Sequence, residues 1–278
     1  MGSPAGRQFA KDVAITMHRS WLHRSWLHRG LLLALLAPLL VVLGAVSTIT
    51  TAGASAICWA GPAVVRGNLW LLGNQYTNQS ASRSFSFGRA GDHPFFGHWD
   101  AHAVNSAPGV VRGRTWYLRN TQTTGPANLT FVYGQLGDIP LMGDWNGDGT
   151  DTPGVVRGHT WYLRNSNSGG PADITFTFNA PGIPVYTPWV GEAPHPTTFD
   201  AGTWYQRNTE TSGPADSTYS FGRAGDLPVG VGFFVQNPDC VSPSTTVVRG
   251  NSWLINQGAN GYSFSFGRPG DTFLSQHY

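Results

Sequence analysis

A block of about 45 residues recurs five times after residue 57, and no other feature limits the fold so tightly. Its first marker is an aromatic strand: LWLLGN around Trp70, TWYLRN around Trp116 and Trp161, TWYQRN around Trp204 and SWLINQ around Trp253, spaced 46, 45, 43 and 49 residues apart. A second marker falls at Gly88, Gly134, Asn179, Gly222 and Gly267, at intervals of 46, 45, 43 and 45. A third is a late aromatic, at Trp99, Trp145, Trp189, Phe233 and Tyr278. Three markers in one phase argue against coincidence. A period of this length, built from short strands, belongs to a propeller or a related repeat array.

The segment from 108 to 145 displays one unit. PGVVRG reads as a strand, and TWYLRN as a second after a tight turn at Gly113-Arg114. NLTFVYG alternates polar and apolar residues and reads as a half-buried third strand. IPLMGDW, beyond the turn GQLGD, reads as the fourth. Four strands in this length make one blade, so the expected fold is an all-β, five-bladed β-propeller. The chain stops at the end of a fourth strand, and the repeats begin at a first one. The C-terminal strand is therefore expected to complete the N-terminal sheet. Within TWYLRN, Trp116 and Leu118 share a face. The five tryptophans are expected to pack between blades; the alternative is that they stack on sugars.

Residues 1–56 read as a leader and 57–278 as the propeller domain. Arg19, Arg24 and Arg29 precede the apolar run LLLALLAPLLVVLGAV, and Ala54-Ser55-Ala56 follows it. That order is the layout of a secretory signal peptide cleaved before Ile57. The expected location is secreted or extracellular; an uncleaved leader would instead anchor the propeller outside a membrane. SWLHR is duplicated at 20–24 and 25–29, and Met17 offers a more ordinary start. Of the chain's 17 basic residues, five lie in the leader; the remainder carries 12 basic and 14 acidic residues, a net of −2. Nucleic-acid binding therefore has no electrostatic support. Cys58 and Cys240 hold equivalent positions in the first and fifth repeats. In an exported, closed ring of monomeric chains they are expected to form a disulfide.

One motif carries chemistry. In GDWNGDGTDTPG, Asp144, Asn146 and Asp148 stand at positions 1, 3 and 5, Gly149 at 6, Thr150 at 7 and Asp151 at 8. Alternating carboxylate and amide oxygens about a glycine bend form the oxygen-rich spacing of a calcium loop. The alternative is a polar turn held by its own hydrogen bonds. The loop is read as joining the last strand of one blade to the first of the next. In the preceding repeat His98, Asp100 and His102 occupy positions 1, 3 and 5, where imidazoles favour a transition metal over calcium.

DWNGDGTD, together with the pairs Phe87-Gly88, Phe221-Gly222 and Phe266-Gly267, resembles the FG-GAP and VCBS-type repeat family, across residues 62–278. The resemblance implies a propeller used in adhesion or ligand binding, with calcium as a structural ion. The chain departs from that family in having Thr152 where an acid is usual, and five repeats where seven are common. No nucleophile, metalloprotease or phosphate-loop motif is present. The expected function is a non-catalytic recognition module for a glycan or a protein. One alternative is a multivalent lectin with sugar sites between blades; another is a hydrolase or lyase acting at the central face. The repeated arginines Arg66, Arg112, Arg157 and Arg249 either pair with the repeated Asp92, Asp138, Asp226 and Asp271 or line the channel.

Overall fold

The structure is a computed structural model and describes residues 61–100, 105–189, 192–229, 245–256 and 261–276. The leader, Cys58, Cys240, His102, Phe233 and Tyr278 lie outside the described residues. Among the described residues, twenty strands form five antiparallel four-stranded sheets. The first blade contains β1 (Pro62–Arg66), β2 (Leu69–Leu72) and β3 (Arg83–Ser86), and the second β4 (His93–Gly97), β5 (Ala107–Arg112), β6 (Thr115–Leu118) and β7 (Leu129–Val132). The third blade is β8 (Ile139–Gly143), β9 (Thr152–Arg157), β10 (Thr160–Leu163) and β11 (Ile174–Thr177). The fourth is β12 (Ile183–Trp189), β13 (Glu192–Asp200), β14 (Thr203–Gln206) and β15 (Ser217–Ser220). The fifth is β16 (Leu227–Val229), β17 (Thr245–Arg249), β18 (Ser252–Asn256) and β19 (Tyr262–Ser265).

The last strand, β20 (Thr272–Ser275), pairs with β1 and completes the first blade as expected. Gln276 extends the seam, its backbone N–H donating to the Gly61 carbonyl at 3.1 Å and its side-chain amide to that of Gly73 at 3.0 Å. The innermost strands touch in the cycle β20, β4, β8, β12, β16 and back to β20, so the ring is closed. The blade boundary differs from the repeat boundary. IPLM, read as a fourth strand, is the innermost strand of the next sheet, and the link between blades is the turn ahead of it.

Packing lies between blades. Trp70, Trp116, Trp161, Trp204 and Trp253 are each 0–1 % exposed. Each stacks on an aromatic ring of its own outer strand, as Trp116 does on Phe131 at 6.0 Å. Each sheet also meets the next one: Phe96 of the second blade lies edge-on to Trp70 of the first at 5.0 Å, and Val155 of the third joins the cluster around Trp116. The buried indoles have no free face for a sugar. Outer strand edges, which would otherwise template further pairing, are met by the next blade's loop: Thr124 Oγ1 accepts from Ser86 N, Ser212 Oγ from Thr177 N and Asn78 Oδ1 from Ser265 N.

The repeated arginines pair with the repeated aspartates. Arg112 grips Asp92 through Nε and Nη2, both at 2.7 Å, and Arg157–Asp138, Arg249–Asp226 and Arg66–Asp271 repeat the bidentate geometry at 2.8 Å. Each pair ties the start of an inner strand to the end of the strand beside it. The aspartate also caps the turn between blades, as Asp92 does by accepting from Arg89 N at 2.8 Å. This turn explains the Phe-Gly marker. Gly88 has φ +79°, and a Cβ there would lie 2.9 Å from Val110 Cγ1 and 3.0 Å from Asp92 Oδ2. The fourth blade lacks the device altogether. Asp200 stands in the arginine's place, Gly182 leads directly into Ile183 where the others insert aspartate, and Asn179 replaces the glycine.

Candidate functional site

Two regions are candidates, at opposite ends of the blade strands. The first is the loop from 144 to 151. It connects β8 to β9 within one sheet rather than bridging two blades, because β8 is the innermost strand of that sheet. Asp144 accepts from Asp148 N at 3.0 Å and from Gly149 N at 2.8 Å. Asp148 accepts from Thr150 N at 2.8 Å and from the Asn146 side-chain amide at 2.9 Å. The Asn146 bond comes first among the causes that hold the Asp148 carboxyl below its ordinary pKa. Gly147 and Gly149, at φ +73° and +86°, supply the bends.

Asp144, Asn146 and Asp148 therefore share one exposed, tightly turned loop. The fit to a hard cation is partial. Asp144 and Asp148 offer carboxylate oxygens close together, whereas Asn146 presents its N–H₂ to Asp148. Asp151 is engaged elsewhere: it is 5 % exposed, accepts from His98 N at 2.7 Å and lies 3.8 Å from His98 Nδ1. It thus joins the third blade to the second blade's loop after β4. Of the second trio, His98 and Asp100 share that loop, and His102 lies outside the described residues. Among the described residues no group of three or more His, Cys, Asp or Glu side chains converges on one point.

Glu210 was not legible in the sequence as a neighbour of this loop. It sits between β14 and β15, at the position of Gln122 and Asn167 in the two preceding blades. Those two donate side-chain N–H groups to the carbonyls of Ser106 and Asp151. An ionised glutamate has no proton to donate, and its Oε1 is buried without a hydrogen-bond partner. Burial first, and the charge of Asp144 second, push the Glu210 carboxyl up to about 7. The one available signal was a charged residue where the two preceding repeats carry an amide.

The second region is the central channel, about 420 Å³ in volume. At its mouth stand the first residues of the five inner strands: His93, Ile139, Ile183, Leu227 and Thr272. Ile139, Ile183 and Leu227 are 41 %, 48 % and 49 % exposed, and Leu136, on the turn leading into β8, is 80 % exposed. The next layer is Pro94, Pro140, Pro184, Pro228 and Phe273. Proline is tolerated in these strands because each has a free edge: its missing N–H faces the channel and not the paired neighbour. Below it lie Phe95, Leu141, Val185, Val229 and Leu274. The carboxylate lining the channel, Asp271, is held by Arg66. Partial desolvation at the mouth lowers the pKa of His93 below the ordinary histidine value, although the residue is exposed.

Comparison with protein-family models and with curated proteins finds no match to this chain. The architecture is a five-bladed β-propeller of four-stranded sheets.

Proposed function

We propose that this chain is an exported, non-catalytic recognition module that binds a protein or glycan ligand at the channel-mouth end of its ring. The observation that carries the reading is the arc of exposed apolar side chains at that mouth, Ile139, Ile183 and Leu227, extended outward by Leu136. Clustered apolar exposure of this kind marks interaction surfaces in soluble proteins. The propeller supplies a rigid frame; specificity resides in what the frame presents. The leader motif supports export, and the Phe-Gly turns with the DWNGDGTD loop support membership of the FG-GAP and VCBS-type repeats. In this reading Asp144, Asn146 and Asp148, with the Thr150 carbonyl, hold a structural calcium ion. Asp151 serves the neighbouring blade instead, and a Cys58–Cys240 disulfide reinforces the seam.

The test is a binding screen of the secreted chain against glycan arrays and extracellular protein libraries, run in parallel with Ile183→Glu and Leu227→Glu. The wild type should retain a ligand that both variants lose, with unchanged melting temperatures. A ligand bound equally well by wild type and both variants would place recognition elsewhere on the ring.

A further inference from the structure

The channel mouth is not uniform around its circumference. Three consecutive blades, the third to the fifth, contribute Ile139, Ile183 and Leu227, while the first and second contribute Thr272 and His93. A polar arc therefore faces an apolar one across a single opening. One layer down, four pyrrolidine rings stand where other residues would aim an N–H at the channel, so that layer has few donors for water. The side chains of the layer beneath are all hydrocarbon. The volume falls within the roughly 300–1,000 Å³ of sites that take small organic molecules.

We propose that the channel is a binding site for a small uncharged molecule with an apolar body and one hydrogen-bonding head. The body enters past the prolines and the head stays between His93 and Thr272. Charge argues for neutrality. Among the described residues the one carboxylate in the wall is neutralised by Arg66, and no lysine or arginine side chain lines the cavity. A charged ligand would lose its hydration shell with no opposite charge to replace it. A neutral apolar group loses little and removes hydrocarbon wall from poorly bonded water. The inference rests on the reading that the mouth is the ligand-binding end, and it names the group accepted there.

The experiment titrates the full secreted chain with N-phenyl-1-naphthylamine, a neutral apolar fluorophore, followed by displacement with 1-hexanol or hexanoate. Saturable one-to-one enhancement is expected, with hexanol displacing the probe at concentrations at least tenfold below those of hexanoate. Leu141→Trp, which fills the third layer, should weaken probe binding at least tenfold. Leu227→Glu, at a half-exposed rim position, should do the same by placing a charge at the entrance, with an unchanged melting temperature. Absence of saturable binding, equal displacement by the acid, or wild-type affinity in Leu227→Glu would each overturn the proposal. The two readings fail separately. Loss of a macromolecular ligand in the rim variants without any probe binding leaves the mouth as an interaction surface and removes the channel as a site. Probe binding with macromolecular recognition untouched by the rim variants does the reverse.

Discussion

At the scale of single residues, the sharpest contrast is between charges that are met and one that is not. Asp92 accepts two guanidinium bonds and a backbone N–H, whereas Glu210 has an oxygen with no donor. A double-mutant cycle of Arg112→Ala and Asp92→Ala should give a coupling of about 1 kcal/mol, modest because the Arg112 side chain is 34 % exposed and screened. Chemical denaturation measures it, and additivity within error would show the pair to be incidental. For Glu210 the sign runs the other way from the usual carboxylate. Its folded pKa is raised to about 7, so its contribution is complete below the ordinary glutamate value and is lost as pH rises through 7. Glu210→Gln removes the buried charge and restores the donor that Gln122 uses. It should raise stability at pH 8 by about 1 kcal/mol after discounting for partial exposure, or roughly 2–4 °C, and leave melting in EDTA at pH 4 unchanged. An equal shift at both pH values would point to packing, not ionisation.

At the scale of the element, the loop and the blade each carry a consequence. If the 144–151 loop holds calcium, millimolar calcium should raise the melting temperature above that in EDTA, because a ligand at 100 times its Kd adds about 2.7 kcal/mol. Asp144→Ala combined with Asp148→Ala should remove that increment, and Asp151→Ala should keep it while lowering the baseline. A wild-type melt indifferent to calcium would leave the loop as a turn closed by its own hydrogen bonds. Among the described residues the fourth blade is the one sheet without an arginine–aspartate tie at the start of its inner strand, and that strand should open locally more readily than the others. Native-state hydrogen exchange checks this: amides at the start of β12 should exchange faster than those at the start of β8, and equal protection would mean that the tie adds little to local stability. The missing tie was legible, since Asp200 and the Gly182-Ile183 junction lose both partners in one repeat. Which arginine meets which aspartate was not, because a repeating pattern fixes spacing and leaves the sheet boundary free. The same ambiguity placed the calcium-type loop between blades when it lies within one.

At the scale of the molecule, the sequence carried the ring and missed what converges across it. Five phased tryptophans dictated five equivalent units, and the pairing of β20 with β1 closes them into a ring. Nothing in one unit announces that Glu210 approaches Asp144, or that the first residues of five inner strands divide into a polar and an apolar arc, since those arrangements form only when the blades are set side by side. Closure itself is the most global claim and has a local handle. Phe273 is the C-terminal strand's chief anchor: it lies edge-on to Trp253 of the fifth blade at 5.8 Å, and its strand pairs with β1 of the first. Phe273→Ala empties that seam, and truncation of a buried aromatic costs about 3–5 kcal/mol. The cost should appear as a cooperative fall in melting temperature of roughly 10 °C, at 2–4 °C for each kcal/mol in a domain of this size. Because a ring unfolds as a unit once its seam opens, hydrogen exchange should accelerate in all five blades and not only in the first. Acceleration confined to β1, β2, β3 and β20 would mean that the blades are individually stable and that closure adds shape without adding cooperativity.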